Sequence, residues 1–357
     1  MDSFDDDFFD DYDMLDELDE LDLEDDYHLE LPLEELDPDD DYQHLGDKPT
    51  LDEVKALLSL GENLRLAQYP ILVAGLSDLG VQEAQSLLSA WRKLDVTKRR
   101  DINERLVEKI EHDYMLDYRS WAMMTIQDDD PEVRAMGVEL LWDDESIDTL
   151  HTLMELIRKE KAIEVRVVAF QVLGRFILLG EYEQFDSDDI QIAQQLAYTT
   201  WNNHQEPIEI RRRALEAFAN CTDDRLPAMI AEAYKSHLPE VQASALFAMG
   251  RSYDNQWNEI VLKELDNENP QIRYEATRAA GELEIKKAVQ QLGRLARDDS
   301  DREIMLIAIW SLGEIGGDLP TKILTRLADM AEESDDDDLI DAIDEAIQTA
   351  SLSDIEI

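Results

Sequence analysis

The chain has 357 residues and a formal net charge of −52, from 85 acidic and 33 basic side chains. So large a negative charge argues against the phosphate-neutralising surface of a non-specific nucleic-acid binder, and it disfavours adsorption to anionic lipid. The single cysteine, Cys221, excludes an intrachain disulfide. The sequence shows no basic and apolar leader and no apolar run of roughly 18 residues. We therefore expect a cytoplasmic protein without membrane contact.

Residues 1–48 are predicted to be a disordered acidic tail. Residues 1–47 hold 23 Asp and Glu and no Lys or Arg, so self-repulsion leaves too little burial to offset chain entropy. Apolar side chains nevertheless recur at helical spacing, which gives the tail one amphipathic face. The candidate contact residues of this face are Phe4, Phe8, Phe9, Tyr12, Leu15, Leu18 and Leu21.

Two interpretations of the tail stay open at this stage. It is either a solubilising segment or an acidic amphipathic helix that docks on a basic, apolar groove. Such a groove would belong to a partner or to this chain, near Arg99, Arg100 or residues 211–213. A tail that docks on its own chain would compete with a ligand.

Residues 49–127 are predicted to form an N-terminal helical cap or divergent repeats. Thr50 stands three residues before Glu53, the spacing of a helix capping box. Further helices are predicted near 66–76, 81–94, 98–111 and 115–127. Residues 91–110 run against the acidic trend, with seven basic and four acidic side chains. They form either an ordinary mixed-charge helix face or a docking site for an acidic peptide.

From about residue 128 the chain repeats itself. Six segments can be stacked: PEVRAMGVELLW from Pro131, IEVRVVAFQVLG from Ile163, IEIRRRALEAFA from Ile208, PEVQASALFAMG from Pro239, PQIRYEATRAAG from Pro270 and REIMLIAIWSLG from Arg302. They begin 32, 45, 31, 31 and 32 residues apart. A second helical stretch separates successive segments, so each unit is predicted to be a helix pair. The repeat domain spans 128–350, and a short tail, 351–357, follows.

The segments DDDPEVRAMG and NENPQIRYEATRAAG resemble HEAT repeats, in particular the subtype also found in phycobilisome lyase proteins. The resemblance implies an all-α, right-handed α-solenoid whose repeat helices line the concave side. Two departures from the pattern occur. Gln242 and Met305 replace the repeat arginine, and Trp142 and Ala219 replace the glycine that ends the other four segments. Because we place these glycines at repeat turns, we expect irregular turns in the two units that lack them.

Positions in each segment are counted back from its last residue, position 0. At 100° per residue, positions −9 and −5 face the core, and position −5 is always Gly or Ala. Position −8, at the edge of that face, carries the arginine ladder Arg134, Arg166, Arg211 and Arg273. We expect a structural ladder paired with acids at neighbouring helix starts, such as Asp129, Asp130 or Asp298. The alternative is a row of anion-binding sites.

Positions −7 and −3 point away from the core and carry the candidate binding residues. In the last three units they place Phe247, Tyr274 and Trp310 on one stripe beside Arg278, and the third unit adds Arg212 and Glu216. Exposed aromatics with an arginine are typical of a binding hot spot. The alternative is that these rings cover one another or pack on the adjacent unit.

The sequence offers little catalytic chemistry. The six histidines show no metal-ligand spacing, there is no C-x-x-C pair, and the glycines form no phosphate-binding loop. Cys221 has no nearby histidine, which favours an inert thiol. The SDDDD run at 334–338 lacks the spacing of a calcium loop, so solvated charge is the preferred interpretation. We therefore expect no catalytic residues, no metal and no cofactor.

These observations predict a non-enzymatic scaffold or adaptor that binds a protein or peptide on its concave face. The acidic tail would be a second or autoinhibitory binding element. The resemblance to phycobilisome lyase repeats leaves a bilin lyase as an alternative. A nucleic-acid or DNA-base-acting HEAT-like protein is a further alternative, which the overall charge disfavours.

Overall fold

The structure, a computed structural model, describes residues 48–182, 184–185, 187–331 and 336–352. All regular structure in these residues is helical, which confirms the predicted all-α solenoid of helix pairs. The α-helices are α1 (Leu51–Ser59), α2 (Tyr69–Leu76), α3 (Val81–Trp91), α4 (Val96–Ile110), α5 (Arg119–Thr125), α6 (Pro131–Glu139), α7 (Ile147–Lys159), α8 (Ile163–Glu181), α9 (Ser187–Asn202), α10 (Ile208–Phe218), α11 (Leu226–Tyr234), α12 (Pro239–Arg251), α13 (Asn258–Glu264), α14 (Pro270–Glu282), α15 (Val289–Asp298), α16 (Arg302–Ile315), α17 (Asp318–Ala331) and α18 (Asp337–Leu352).

Some predictions fall outside these ranges. The contact residues and the disorder predicted for the acidic tail lie on residues 1–47, and the predicted C-terminal tail lies largely on 353–357. They stay predictions. At the start of the described chain, Thr50 and Glu53 form the expected capping box of α1. No helix within the described ranges is both long and apolar enough to cross a membrane.

The helices alternate between two rows. The even-numbered helices from α6 to α18 carry the six repeat segments and one further helix, and they pack side by side as the inner row. Each odd-numbered helix from α5 to α17 packs on the even-numbered helix that follows it and belongs to the outer row. From α7 onward, neighbours in the outer row barely touch, except α15 and α17. Because the inner row is the more closely packed, the array curves towards it.

The N-terminal helices extend this array with a hydrophobic cluster of their own. This cluster joins α1 to α5 with part of α6, and the larger cluster continues from Ile126 to Ala350. Trp121 Nε1 donates to Asn103 Oδ1 at 3.0 Å, and Asn103 Nδ2 donates to the Val133 carbonyl in α6. The buried amide therefore ties the cap to the first repeat helix, since a polar group in a core needs such partners.

The predicted core columns are buried along the whole array. Every residue at positions −9 and −5 of the six segments is buried. The small side chains at −5 keep the backbone of each repeat helix close to its neighbours, and the branched side chains at −9 fill the space between the rows. The repeat register inferred from the sequence is therefore the register of the packing.

The glycine column does something other than expected. Gly174, Gly250, Gly281 and Gly313 lie inside α8, α12, α14 and α16, so their placement at turns was wrong. A Cβ on Gly281 would stand 2.8 Å from Ser311 Cα in the next inner helix, and one on Gly250 would stand 3.0 Å from Ala279 Cα. These glycines let successive inner helices touch backbone to backbone. In the units with Trp142 and Ala219, α6 and α10 instead end before position 0.

The arginine ladder fastens inner helices to the ends of the outer helices that precede and follow them in the chain. Arg273 Nε and Nη2 donate to both carboxylate oxygens of Asp299 at 2.8 and 3.1 Å, and Nη1 donates to the Asn267 carbonyl at 2.7 Å. Arg134 repeats this pattern with Glu160. The planar guanidinium thus satisfies a helix-end carboxylate and an orphan carbonyl together.

At the other positions of the ladder the side chain has different hydrogen-bond partners. Arg166 Nη1 donates to Glu206 at 2.7 Å, whereas Arg211 Nε donates to the Trp201 carbonyl at 2.8 Å and stacks on that indole ring. Gln242, which replaces the arginine in the fourth unit, donates to the Ser236 carbonyl. The carboxylates that serve as partners differ from the Asp129, Asp130 and Asp298 suggested by the sequence. Asp129 contributes only its main-chain carbonyl, to Arg134.

We expect Arg273→Lys to lower the free energy of unfolding by about 2 kcal/mol, because a lysine keeps the charge but cannot make the three directed hydrogen bonds. Urea unfolding followed by circular dichroism measures the change. Arg297→Lys is the matched control, since Arg297 pairs with Asp298 on the exposed surface, and it should leave the free energy of unfolding nearly unchanged. Equal costs for both variants would contradict a structural role of the ladder.

We expect Gly281→Ala to lower the free energy of unfolding by about 1–3 kcal/mol, although alanine is the better helix former, because its methyl group overlaps the backbone of α16. Thermal and urea unfolding report the change. Gly293→Ala is the control, because its Cβ meets only the side-chain atoms of Ile323, the nearest at 3.2 Å. A stabilised Gly281→Ala variant would show that the inner helices have room to separate.

Candidate functional site

A concave pocket of about 410 Å³ lies on the inner row, where α10, α12 and α14 meet the start of α16. Its charged groups are five carboxylates and two guanidinium groups, beside Ser244 and Tyr274. They are Glu216, Glu240, Glu275, Asp301 and Glu303, with Arg212 and Arg213. The balance of this lining is acidic, which favours a cationic group as its occupant.

The repeat register explains why these side chains converge. Most of them stand at positions −10, −7, −6 and −3 of their segments, which fall on the inner surface of successive parallel helices. Glu240 and Glu303 occupy position −10, in the first helical turn, where an acidic side chain is favoured by the helix dipole. The pocket is therefore assembled from one strip of three adjacent repeats and the edge of a fourth.

Glu216 organises one wall of the pocket. Its carboxylate accepts hydrogen bonds from Arg213 Nη1 at 2.6 Å, from Arg212 Nη1 at 3.4 Å and from the hydroxyl of Ser244 in the next inner helix. Only 9% of Glu216 is exposed. Two residues predicted to bind a partner, Arg212 and Glu216, thus bind each other and shape the wall between them.

Phe247 and Arg278 also engage each other. The Arg278 guanidinium lies 4.3 Å from the centroid of the Phe247 ring, and its Nη2 donates to Glu282 at 3.0 Å. Both side chains are half-buried. Their stacking across α12 and α14 corresponds to the alternative in which rings pack on the adjacent unit. The pair supports the inner surface rather than presenting a free arginine.

Tyr274 and Trp310 are the accessible part of the predicted aromatic stripe. Tyr274 lines the pocket on α14. Trp310 is 38% exposed and lies two helical turns beyond Glu303 on the same side of α16. Together they place two large apolar rings beside the acidic pocket, in the composition that anchors peptide ligands.

Glu275 is the functional candidate that sequence reasoning missed. It stands at position −6, which is apolar in the first, second and last segments and holds Arg213, Ser244 and Glu275 in the middle three. Burial raises the pKa of the Glu275 carboxyl to about 7, and the carboxylates of Glu216 and Glu282 raise it further against the opposing charge of Arg278. The change at position −6 from apolar to polar side chains in the middle three segments was the feature of the sequence that could have identified Glu275.

The arginines proposed as docking points for the tail already bind neighbouring residues of the solenoid. Arg100 Nη2 lies 2.6 Å from Asp130 Oδ2, and Arg99 Nη2 lies 3.4 Å from Asp128 Oδ1. Arg211, Arg212 and Arg213 hold the contacts given above. The charges of these side chains are therefore largely neutralised by their neighbours, which leaves little positive charge for an acidic segment to bind.

Two chemical groups of the sequence have plain structural surroundings. Cys221 is buried, its thiol donates to the Phe218 carbonyl, and burial raises its pKa to about 12, so the thiol stays protonated at neutral pH. Among the residues that the structure covers, no cluster of three or more His, Cys, Asp or Glu side chains is placed to hold a metal ion.

Glu275→Gln should remove a pH-dependent cost. Between its ordinary pKa of 4.5 and about 7, the folded protein binds more protons at this site than the unfolded chain, so stability from this site falls as the pH rises. We expect the variant to match the parent near pH 5 and to exceed its free energy of unfolding by about 2 kcal/mol at pH 8. Urea titrations at both pH values measure the difference.

The control for this measurement is Glu303→Gln, which changes an exposed carboxylate of the same pocket. This control measures how much stability the protein gains simply from losing one negative charge, and that gain is subtracted from the effect of Glu275→Gln. A Glu275→Gln effect that is the same at pH 5 and pH 8 would contradict a raised pKa.

Comparison with known proteins gives one family match. Residues 258–348 match the family model described as HEAT repeats. A search of curated proteins returns no match. The matching stretch covers α13 to most of α18 and includes Gly281 and Gly313 of the glycine column.

Solved structures with a similar arrangement include three at low sequence identity. YibA of E. coli is 17% identical, with 79% of this chain and 96% of that chain covered and a TM-score of 0.41. Human deoxyhypusine hydroxylase is 13% identical, with 85% and 96% covered and a TM-score of 0.35. A chain of the Kap95:Nup1 complex is 14% identical, with 84% and 41% covered and a TM-score of 0.35. The family match and the observed register agree on one conclusion: residues 258–348 consist of HEAT repeats, and the same register of helix pairs runs back to Pro131.

Proposed function

We propose that the protein is a non-enzymatic interaction scaffold whose inner row binds a cationic, partly apolar segment of a protein or peptide. The observation that carries this proposal is the acidic pocket flanked by Tyr274 and Trp310. A strip of parallel helices offers extended surface to a chain-like ligand, which suits a solenoid. The carboxylates would select Lys or Arg, and the rings would hold neighbouring apolar side chains.

Glu275 adds a reason for cation selectivity. With a pKa of about 7 it is partly protonated when the pocket is empty. A guanidinium or ammonium group placed beside it would favour the ionised form, so ligand binding would release a proton. Affinity for a cationic segment should therefore increase as the pH rises from 6 to 8, while an uncharged ligand would show no such dependence.

Phe247, Arg278, Arg212 and Glu216 take supporting roles in this proposal. They are paired with one another or with neighbours, and these pairs fix the walls on which Tyr274 and the outer carboxylates stand. Removing them would disturb the fold as well as binding. A test of binding is cleaner at the accessible residues.

The test is selection of peptides from a random 12-residue phage library on the immobilised full chain, followed by fluorescence anisotropy with the enriched peptides. We expect Arg- or Lys-containing sequences with aromatic or aliphatic neighbours. The double variant Tyr274→Ala/Trp310→Ala should weaken their affinity at least about tenfold, because central aromatic anchors carry much of a binding free energy. The affinities are measured again in the presence of an excess of a free peptide with the sequence of residues 1–26. Unchanged affinities exclude capture of the selected peptides by the acidic tail.

Trp142→Ala is the matched control, since Trp142 is 44% exposed and follows α6, away from the pocket. It should leave the affinities unchanged. Enrichment of acidic or uncharged peptides would overturn the proposed ligand chemistry. Equal binding to the parent and to the double variant would overturn the proposed face.

A further inference from the structure

The outer row contains a groove with the opposite character to the inner pocket. It lies between α15 and α17, has a volume of about 300 Å³, and pairs an apolar floor with a rim of four cationic side chains. The floor includes Leu319, Ile323, Leu327 and Met330, and the cations are Arg294, Arg297, Lys322 and Arg326. In a chain of net charge −52, this is an unusual concentration of positive charge.

Three of the four groove cations differ from most arginines of the array in forming no ion pair within the described residues. Arg297 pairs with its neighbour Asp298. Within the described part of the chain, no carboxylate lies at ion-pairing distance from Arg294, Lys322 or Arg326, and all three are exposed. By contrast, Arg99, Arg100 and the ladder arginines face acidic or carbonyl partners. The positive charge of the groove is therefore free to meet an external anion.

The groove also leaves apolar surface uncovered. Leu319 is 46% exposed and Met330 is 49% exposed, at the two ends of α17. Gly293 lets α17 approach α15, because its missing Cβ makes room for Ile323. These two outer helices consequently form a continuous trough, where other outer-row neighbours from α7 onward stand apart. An amphipathic helix laid in such a trough would bury its apolar side chains against Leu319 and Met330.

We propose that this groove binds the acidic N-terminal segment of this chain, residues 4–26. The segment reads FDDDFFDDYDMLDELDELDLEDD, with Phe4, Phe8 and Tyr12 four residues apart and Leu15, Leu18 and Leu21 three apart. Folded as a helix, it carries one apolar stripe flanked by carboxylates, which complements a floor of aliphatic side chains flanked by cations. The sites suggested by sequence alone, at residues 91–110 and 211–213, lack this combination.

The chain length allows the segment to reach the groove. Helix α1 and the α15–α17 groove lie at opposite ends of the array, seven outer-row steps apart. Packed helices stand about 8–10 Å apart, and most of these outer helices pack less closely, so the distance is at least about 70 Å. The described chain begins at Lys48, which donates to the Ser77 carbonyl, so the linker from residue 26 to residue 48 spans at most about 75 Å when extended, and like charges favour extension. The tail therefore reaches the groove of its own copy only with a fully extended linker, whereas the groove of a second copy imposes no such limit.

Carbodiimide cross-linking of the full chain tests the proposal, because it joins a lysine amine to a carboxylate without a spacer. We expect Lys322 to be coupled to acidic residues of 4–26, as mapped by mass spectrometry after pepsin digestion. A mixture of ¹⁵N-labelled and unlabelled protein shows which copy donates the tail: mixed-isotope products mark a second copy, and their absence among the cross-linked products marks the same copy. Either pattern supports the groove.

Two variants separate the groove from general charge effects. Arg294→Glu/Arg326→Glu keeps the Lys322 amine but should reduce its coupling at least about fivefold, since two attractive contacts become repulsive. Arg92→Glu/Arg158→Glu reverses two exposed arginines elsewhere and should leave the coupling unchanged. Leu15→Ser/Leu18→Ser/Leu21→Ser keeps every charge of the tail and leaves the solenoid untouched, and it should also weaken the coupling.

The results that would overturn the proposal are equally definite. Coupling of the tail to Lys93, Lys98 or Lys109 in preference to Lys322 would place the tail on residues 91–110. Coupling spread evenly over exposed lysines, or unaffected by the three leucine changes, would show that the tail acts only as a solvated polyanion.

Discussion

Close packing between neighbouring inner helices is the constraint on which the structure depends. Alanine at position −5 and glycine at position 0 remove the side chains that would hold these helices apart, so Gly281 and Ser311 meet at backbone distance. The outer helices keep larger side chains and stand further apart, and this inequality gives the array its curvature. Everything proposed for the two rows follows, because curvature gathers the inner side chains into a pocket and leaves troughs between outer helices.

Electrostatics then divides the surface into three kinds of arginine. Ladder arginines such as Arg273 bind at helix ends, where they donate to a bidentate carboxylate and to a main-chain carbonyl. Arg213 and Arg278 are tied into carboxylate networks on the inner row. A third kind, which includes Arg294 and Arg326, is exposed and forms no ion pair with a carboxylate of the described residues. In a protein with this excess of acid, an unpaired cation is more informative than a paired one, because pairing is the default.

Much of the fold could be predicted from sequence, since the repeat register fixes which positions face the core. The glycine column was misplaced because a glycine ending an apolar run resembles a helix C-cap, and only the next helix shows that the backbone passes close by. Glu275 was missed for a related reason: its column is apolar in half of the units. The α15–α17 groove joins helices of two different units, so no alignment of repeats brings Lys322 beside Arg294.

The charges of the two faces also bear on how the tail acts. A tail with 23 carboxylates is repelled by the five carboxylates of the inner pocket, so direct competition there is electrostatically disfavoured. A tail seated on the outer row would instead leave Tyr274 and Trp310 open. Its influence on an inner-row ligand would then pass through α16, which packs on both α15 and α17 while carrying Trp310. Such coupling requires that the tail alter the packing of α16, because a ligand shifts an equilibrium only through contacts that differ between the two states.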